Sequence, residues 1–306
     1  MTITDAIINE VKKVIHGKDS CIKLTLAALI AGGHVLLEDI PGVGKTTMAT
    51  AFARAMSLDY KRMQFTPDVL PSDLVGFNIY DKGNDSFRFL PGCIYTNLFL
   101  ADEINRTSPK TQSALLEVME EGNASVEGVT RALPKPFFVI ATENPYGSSG
   151  TQKLPESQLD RFLICISMGY PDHESAQNIL KSNSSVNIDV ITPVAGCNEL
   201  LNIQAAVKDI FVEDRLFDYI VTLTEATRNP NLFSLGLSPR GSIAILKMAK
   251  AMAFLNNRNY VIPEDIHDIF LATACHRVHI SPRQKAAGKD LQELLLLLLK
   301  QYNPGV

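Results

Sequence analysis

Cysteine is scarce in this sequence. The five cysteines are odd in number, widely scattered and without a CxxC pair: Cys21, Cys93, Cys165, Cys197 and Cys275. A disulfide framework or a zinc site normally uses paired or closely spaced ligands, so neither is expected. The pattern predicts reduced thiols and a protein of the reducing cytoplasm.

Long apolar runs and an excess of basic charge are also absent. The longest apolar run, Leu294 to Leu299, is far too short to span a bilayer, so membrane insertion is not expected. The first residues, MTITDAIINEVKK, carry acids and amides where a signal peptide needs a basic start and an apolar run. The formal net charge is -4. Because non-specific nucleic-acid binding comes from Lys and Arg neutralising phosphates, nucleic acid is not an expected partner.

What the sequence does contain is an alternation of short apolar runs with helical patterns in its first half. Of the 306 residues, 46% are hydrophobic and 20% are charged, which is typical of a globular protein with a full core. The alternation predicts βα units around a parallel sheet. The predicted strands are His34–Leu37, Lys61–Phe65, Asn97–Ala101, Phe137–Thr142 and Leu163–Met168.

Helical patterns separate these strands. The predicted helices are Asp19–Ala31, Lys45–Ala55 and Lys110–Glu121. Two further segments interrupt the alternation. Residues 123–136 are predicted to form a hairpin, whereas residues 66–91 are rich in Pro, Gly, Asp and Phe and are predicted to form a loop insertion with little regular structure.

The strand signals fade after Gly169-Tyr170-Pro171. The predicted helices beyond this point are Leu200–Lys208, Glu213–Thr227, Ser238–Leu255, Pro263–His276 and Gly288–Gln301. We therefore predict an α/β domain over residues 1–172 and a small helical domain over residues 173–306.

The strongest local signal lies between the first strand and the helix at Lys45, in the segment LLEDIPGVGKTT. Backbone N–H groups of such a turn converge on a phosphate at the positive end of a helix. Lys45 is predicted to reach the β- and γ-phosphates of ATP, and the Thr46 hydroxyl to bind Mg²⁺. The predicted nucleotide contacts in this loop are Pro41, Gly42, Val43, Gly44, Lys45, Thr46 and Thr47.

The loop departs from the usual pattern at one position. Asp39 stands where the pattern has glycine. Glycine is present at Gly42 and Gly44, where a side chain would keep the backbone away from the anion. The alternative interpretation is an ordinary strand–turn–helix with a surface Lys–Thr pair.

Polar side chains also follow two other predicted strands. Asp102 and Glu103 end the apolar run NLFLA, and ligands of parallel sheets collect at this end of the strands. Asp102 is predicted to hold Mg²⁺, and Glu103 to act as general base on the attacking water. Asn144 follows the strand that ends at Thr142, and we expect it to contact that water or the γ-phosphate. The alternatives are a solvated strand end for the acids and a turn-forming Asn before Pro.

Together these segments resemble the AAA+ ATPases, and within them the MoxR family. The resemblance covers almost the whole chain, and it is carried by HVLLEDIPGVGKTT, QFTPDVLPSDLVGFNIYD, FLPGCIYTNLFLADEINRTSPKTQSALLEVMEE, VIATENP and LPESQLDRFL. The second and third segments are far more specific than a phosphate loop. The resemblance implies an α/β fold, with a P-loop AAA+ core around a parallel five-stranded sheet, followed by a small all-α lid domain.

The resemblance also implies roles for individual residues. Asn144 falls at the sensor-1 position, Arg161 at the arginine finger that enters a neighbouring subunit's ATP site, and Arg240 at sensor 2 of the lid. The residues implied to pack near the adenine are Ile15, His16 and Gly17. The alternatives are a surface ion pair for Arg161 and a helix-start surface charge for Arg240.

Two insertions of the family correspond to residues 66–91, in helix 2, and 123–136, the hairpin before sensor 1. In related rings such elements face the central pore and touch the client. Candidate contact groups are Phe77, Tyr80, Phe87 and Phe89. An equally open interpretation is that these aromatic side chains anchor a loop to the core.

The implied activity is hydrolysis of ATP, with Mg²⁺, in a homo-oligomeric ring, a hexamer by resemblance. The implied work is chaperone-like maturation or remodelling of a client protein complex, with a von Willebrand A-type protein as a further partner. Two other functions stay open at this point. One is a DNA-dependent AAA+ remodeller, and the other is a nucleotide-gated binding module with little turnover.

Overall fold

The computed structural model describes residues 1–144, 154–181 and 187–302. Two compact units are distinguished by their internal contacts. The first unit consists of Met1–Ile22, Leu36–Leu154 and Ser167–Leu201, and the second of Lys23–Val35, Pro155–Ile166 and Asn202–Val306. The division into domains 1–172 and 173–306 stays a prediction.

Helices and strands alternate through the first half of the chain. The strands are β1 (Val35–Glu38), β2 (Tyr60–Gln64), β3 (Phe77–Asp81), β4 (Ser86–Leu90), β5 (Leu98–Asp102), β6 (Asn123–Val126), β7 (Val129–Ala132), β8 (Phe138–Glu143), β9 (Ile164–Ile166), β10 (Phe233–Leu235) and β11 (His279–Ile280). The helices are α1 (Ile3–Lys12), α2 (Asp19–Ile30), α3 (Lys45–Ala55), α4 (Pro71–Val75), α5 (Pro109–Glu121), α6 (Glu156–Leu159), α7 (His173–Lys181), α8 (Cys197–Lys208), α9 (Asp214–Ala226), α10 (Pro239–Leu255), α11 (Pro263–Ala274), α12 (Pro282–Ala286) and α13 (Leu291–Gln301).

The central sheet has five strands in the order β2-β5-β8-β1-β9, and β5 pairs in parallel with both β2 and β8. Strand β5 is buried along its whole length, and β8 is buried up to its last residue. Continuous apolar strands of this kind are typical of parallel sheets that are covered on both faces. The predicted α/β fold with a parallel five-stranded sheet is confirmed.

The predicted helices agree with the observed ones to within about three residues at each end. The sequence analysis missed α1, α4, α6, α7 and α12. Of these, α4, α6 and α12 have five residues or fewer, which is too short for an apolar repeat to show.

The insertion at residues 66–91 is more regular than predicted. It contains α4 and an antiparallel hairpin of β3 with β4, so the expectation of little regular structure is wrong. The edge-to-face contact of the Tyr80 and Phe87 rings, with centroids 5.6 Å apart, is a cross-strand pair of the kind that stabilises hairpins. The hairpin that was predicted over residues 123–136 is confirmed as β6 with β7.

These two hairpins contact each other. The Asn78 side chain donates a hydrogen bond of 2.7 Å to Glu127, and the Arg131 guanidinium lies 3.8 Å from the centre of the Phe89 ring. Phe89 also packs edge-on against Tyr95. Phe89 is therefore an anchor of the insertion, in contrast to the other three candidate aromatic residues, which are exposed: Phe77, Tyr80 and Phe87.

The second unit is built mainly from helices. Helix α10 packs against α9 and α11, and α13 packs against both of these neighbours. The Ser238 side chain caps α10 by accepting a hydrogen bond from Gly241 N, and Pro239 occupies the first turn, where a missing N–H costs nothing. An antiparallel pair of short strands, β10 with β11, adds to the predicted helices.

Within the described ranges, no helix combines the length and the apolar character that a bilayer crossing requires. Four leucines of the run on α13 are buried, whereas Leu296 and Leu297 are exposed. The four buried leucines therefore form the packed face of an ordinary helix.

Candidate functional site

A cavity of about 380 Å³ in the first unit collects most of the predicted site residues. Its lining consists of Pro41, Gly42, Gly44, Lys45, Thr46, Thr47, Arg62, Gln64, Asp102 and Glu103. Eight of these ten were predicted from the sequence. Arg62 and Gln64, which lie on the neighbouring strand β2, were not.

The loop between β1 and α3 has the backbone conformation that the phosphate-loop interpretation requires. Gly42 has a φ of 84° and Gly44 a φ of 97°, both in the left-handed region that glycine adopts without strain. Gly44 is the residue that precedes α3, so the N–H groups of the first helical turn and the positive end of the helix dipole lie at the cavity. Such a helix start is a binding site for an anion.

Lys45 is the first residue of α3 and is largely buried. Its Nζ donates hydrogen bonds to the carbonyl oxygens of Asp39, at 2.6 Å, and Ile40, at 3.3 Å. Burial lowers the pKa of Lys45, and the nearby carboxylates of Asp39, Asp102 and Glu103 act in the opposite direction. The ammonium group is thus held inside the loop among negative charges, where a phosphate can attract it.

The carboxylate of Asp39 explains the departure from glycine at this position. It is buried and accepts hydrogen bonds from Ser167 Oγ at 3.0 Å, Gly169 N at 2.6 Å and its neighbour Ile40 N at 2.8 Å. Asp39 therefore ties the start of the loop to the segment that follows β9. The sequence motif alone gave no sign of this role.

Asp102 and Glu103 are joined through a buried hydroxyl on β8. Thr142 Oγ1 accepts a hydrogen bond of 2.8 Å from Glu103 N and donates one of 2.6 Å to Asp102 Oδ1. Thr142 has no solvent exposure. Because one hydroxyl fixes both acidic residues, Thr142 is a positioning residue that the sequence analysis missed.

The remaining carboxylate contacts come from β2 and from the turn after β5. Arg62 donates two hydrogen bonds to Asp102 Oδ2, from Nη2 at 2.6 Å and Nε at 3.2 Å. Glu103 Oε2 accepts from Gln64 Nε2 at 2.8 Å and from Arg106 Nη1 at 2.7 Å. Glu103 has a φ of 55°, an uncommon value for a residue with a side chain and one that tends to occur at functional sites.

Asn144 directly follows β8, the strand that lies between β5 and β1. Its carbonyl oxygen accepts a hydrogen bond of 3.3 Å from Asn105 Nδ2. This contact links the end of β8 to the turn that follows Glu103. Asn144 and Val43 do not belong to the lining of the 380 Å³ cavity.

The segment Ile15-His16-Gly17 lies beside the loop. A methyl group placed on Gly44 would lie 3.9 Å from Ile15 Cδ1. Gly17 has a φ of 67°, and a Cβ there would come within 2.4 Å of Ser175 Oγ, so only glycine fits. Ile15 is buried and His16 is exposed.

The two predicted arginines belong to the second unit. Arg161 lies between α6 and β9, and Arg240 is the second residue of α10. The turn that carries Arg161 is held by a buried arginine, Arg277, which forms an ion pair of 2.6 Å with Asp160. Arg277 also donates to the carbonyl oxygens of Phe162 at 2.5 Å, Leu163 at 3.1 Å and Asp160 at 3.2 Å.

Asp160 connects the two arginine-bearing segments. Its Oδ2 accepts a hydrogen bond of 3.0 Å from Ser238 Oγ, the cap of the helix that begins with Pro239 and Arg240. The sequence analysis missed both Asp160 and Arg277. The ion pair joins residues that are 117 positions apart in the chain, so no local pattern reveals it.

Comparison with known proteins identifies relatives of the whole chain. A model of the ATPase family associated with various cellular activities (AAA) matches residues 34–164, and a model of an AAA lid domain matches residues 225–295. The uncharacterized protein YeaC of Bacillus subtilis is 48% identical over 289 residues, which cover 94% of this chain and 90% of that protein. The chaperone MoxR1 of Mycobacterium tuberculosis is 40% identical over 278 residues, which cover 88% of this chain and 74% of that protein.

A solved structure is also similar over nearly the full length. A crystal structure from Cytophaga hutchinsonii, described as that of a putative ATPase, superposes with a TM-score of 0.90 and 37% sequence identity. The match covers 98% of this chain and 94% of that chain.

The Thr142 hydroxyl provides a test of the geometry of the acid pair. Replacing it in Thr142→Val keeps the shape but removes both hydrogen bonds, so we expect kcat for ATP hydrolysis to fall roughly 10- to 100-fold, as misplacement of reacting groups does. Nucleotide affinity, measured by titration calorimetry, should stay near that of the unaltered protein because Thr142 does not line the cavity. Thr142→Ser keeps the hydroxyl and is the matched control. A Thr142→Val protein with unchanged kcat would refute the positioning role.

Proposed function

The chain belongs to the MoxR family of AAA+ ATPases, and from this premise we propose that it works as a ring of identical subunits that remodels or matures a partner protein. It binds nucleotide and hydrolyses ATP, as its family membership establishes. The proposed mechanism of hydrolysis rests on the cavity that the phosphate-binding loop and two adjacent acids share.

In the proposed mechanism, the triphosphate of ATP occupies this cavity. The N–H groups at the start of α3 and the ammonium of Lys45 bind the β- and γ-phosphates, and they neutralise charge that develops during transfer. Ile15 lies next to Gly44 of the phosphate loop, and this supports a place for the Ile15-His16-Gly17 segment near the adenine.

The cavity also offers ligands for Mg²⁺. The Thr46 hydroxyl and the Asp102 carboxylate line it together, and oxygen donors of these kinds suit this cation. Bound there, Mg²⁺ would stabilise negative charge on the phosphate oxygens. Thr142 keeps one Asp102 oxygen oriented by a hydrogen bond, and Arg62 does so for the other.

Glu103 is the proposed general base. Its backbone N–H is fixed by Thr142 and its Oε2 by Gln64 and Arg106, so the carboxylate is held at the wall of the cavity. A carboxylate in this position accepts a proton from the attacking water. Asn144, at the end of the next strand, is proposed to orient that water or the γ-phosphate.

Arg161 and Arg240 are proposed to take part in ATP hydrolysis. Arg161 would act on the ATP of a neighbouring subunit as its arginine finger, and Arg240 would respond to the nucleotide as sensor 2. Two contacts in this structure favour these roles because they fix the backbone near each arginine. The Arg277–Asp160 ion pair lies beside Arg161, and the Ser238 cap, which also bonds to Asp160, lies beside Arg240. A preorganised charge of this kind acts on a transferring phosphoryl group without further reorganisation.

The proposed work is chaperone-like. One relative with 40% identity is named a chaperone, and three aromatic side chains of the β3–β4 hairpin are available for contact with a client: Phe77, Tyr80 and Phe87. Exposed aromatic groups are typical of surfaces that bind other proteins. The further partner proposed from the family resemblance is a von Willebrand A-type protein, and the proposed ring is a hexamer in the cytoplasm.

A mixing experiment tests the shared site. Arg161→Ala should bind ATP normally but lose roughly 10³-fold or more in kcat, the effect of an absent arginine finger. Lys45→Ala should lose nucleotide binding. Mixing the two inactive proteins should restore activity, because an intact loop then meets an intact Arg161 across some interfaces.

The matched control is Arg283→Ala, which removes an exposed arginine on α12 of the same unit and should leave the rate unchanged. Normal hydrolysis by Arg161→Ala at high protein concentration would contradict the inter-subunit mechanism.

A trap variant tests the client hypothesis. Glu103→Gln keeps the shape of the proposed base but cannot accept the proton, so it should bind ATP, hydrolyse it very slowly and hold its client. Pull-down with ATP should retain a protein that is released when ADP replaces ATP. The Phe87→Ser form of the trap should retain less of it. If ATP and ADP retain the same proteins, the remodelling function is wrong.

A further inference from the structure

Three side chains with metal-binding atoms meet in the second unit, although they are far apart in the sequence. Cys165 lies in the middle of β9, whereas Cys275 and His276 directly follow α11. One ligand atom from each residue lies within 4.8 Å of the other two. Both cysteines carry thiols, and Cys275 Sγ lies 3.7 Å from the carbonyl oxygen of Cys165.

The contacts of the His276 ring leave one of its two nitrogens available to a metal ion. It is 7% exposed, and its Nε2 lies 3.1 Å from the carbonyl oxygen of Phe162. Because a carbonyl oxygen only accepts hydrogen bonds, Nε2 carries the proton and Nδ1 has a lone pair. Metal-binding histidines usually donate their second ring N–H in this way.

The Nδ1 atom of His276 also indicates a bound ligand. It is buried, and within the described residues it has no hydrogen-bond partner. Buried polar atoms are nearly always satisfied, and an exception in a well-packed structure suggests a missing ion or water.

We propose that Cys165, Cys275 and His276 form a binding site for a thiophilic metal ion, with Zn²⁺ as its occupant. Two thiolates and one imidazole are a donor set that selects Zn²⁺ over hard cations. Zn–S bonds of about 2.3 Å place two sulfur atoms roughly 3.8 Å apart in a tetrahedral site, so side-chain movements of about 1 Å close the cluster. The fourth position is left for a water molecule.

The charge balance favours a divalent ion. Two thiolates cancel the charge of Zn²⁺, so the occupied site adds no net charge to the buried region. The neighbouring guanidinium of Arg277 is already compensated by Asp160. From the sequence alone, the wide spacing of the cysteines indicated that no zinc site was present. In the fold, however, α11 packs against β9, and this brings Cys275 close to Cys165.

The metal would stabilise the segment that carries Arg161. The Phe162 carbonyl, one residue beyond Arg161, accepts hydrogen bonds from both His276 and Arg277. A metal bound to His276 and Cys165 would thus hold both sides of this short segment. The site itself does not depend on the proposed remodelling function.

Titration of the full-length protein with Co²⁺, a coloured substitute for Zn²⁺, tests the proposal. After removal of metal under reducing conditions, we expect one Co²⁺ per chain and a thiolate-to-cobalt charge-transfer band. Zn²⁺ should displace the Co²⁺ and abolish the band. Excess Zn²⁺ should also raise Tm by several degrees, because it binds the folded state preferentially.

Variants identify the ligands. Cys165→Ser and Cys275→Ser should each lose the charge-transfer band and weaken Co²⁺ binding by at least about 10-fold. Cys93→Ser and Cys197→Ser remove thiols outside the cluster and should keep both properties. Folding of every variant is checked by circular dichroism. The proposal is overturned if the folded, unaltered protein shows no charge-transfer band, or if the band persists in folded Cys275→Ser.

Discussion

The parallel pairing of the central strands is the constraint on which the candidate site depends. Because β2, β5 and β8 run parallel to one another, they end at the same edge of the sheet. The phosphate loop follows β1 at that edge. The register pairs Gln64 with Asp102 and Ala101 with Ala141, so the residues that follow become neighbours across strands. The Thr142 hydroxyl can then join both acids. A change of register by one residue would move these side chains to the other face and separate them.

The sequence was sufficient for the strands of the central sheet, most of the longer helices and the phosphate loop because each has a local signal. Apolar runs that end in acids predict β5, and two glycines before Lys45 predict the turn that opens α3. The features that the sequence did not predict are defined by contacts between residues that are far apart in the chain. From the sequence, Arg62 is only an exposed strand residue, and its contact with Asp102 depends on the strand register. Asp39 departs from the motif, and its role depends on its hydrogen bonds with Ser167 and Gly169. Cys165 and Cys275 likewise become neighbours only when β9 and α11 pack together.

The second unit uses buried polar contacts to fix a short turn. Arg277 donates to three carbonyl oxygens and an acid of the Asp160–Leu163 segment, which leaves little conformational freedom around Arg161. Removal of one partner of such a buried ion pair typically costs about 3–5 kcal/mol. This cost therefore applies to substitution of Arg277, which holds the turn, rather than to substitution of Arg161, the predicted arginine finger. His276 adds its own hydrogen bond to the same carbonyl of Phe162.

In the proposed site, one triphosphate is held between the loop at Gly42–Thr47 and the acids at the end of β5. A crystal structure with a non-hydrolysable ATP analogue and Mg²⁺ tests it most directly. We expect the β- and γ-phosphates at hydrogen-bond distance from Lys45 Nζ, and Mg²⁺ held by Thr46 and by Asp102. A triphosphate bound elsewhere would contradict this placement. So would a cation on the loop that lies far from Asp102, with the Asp102 carboxylate still bound to Arg62.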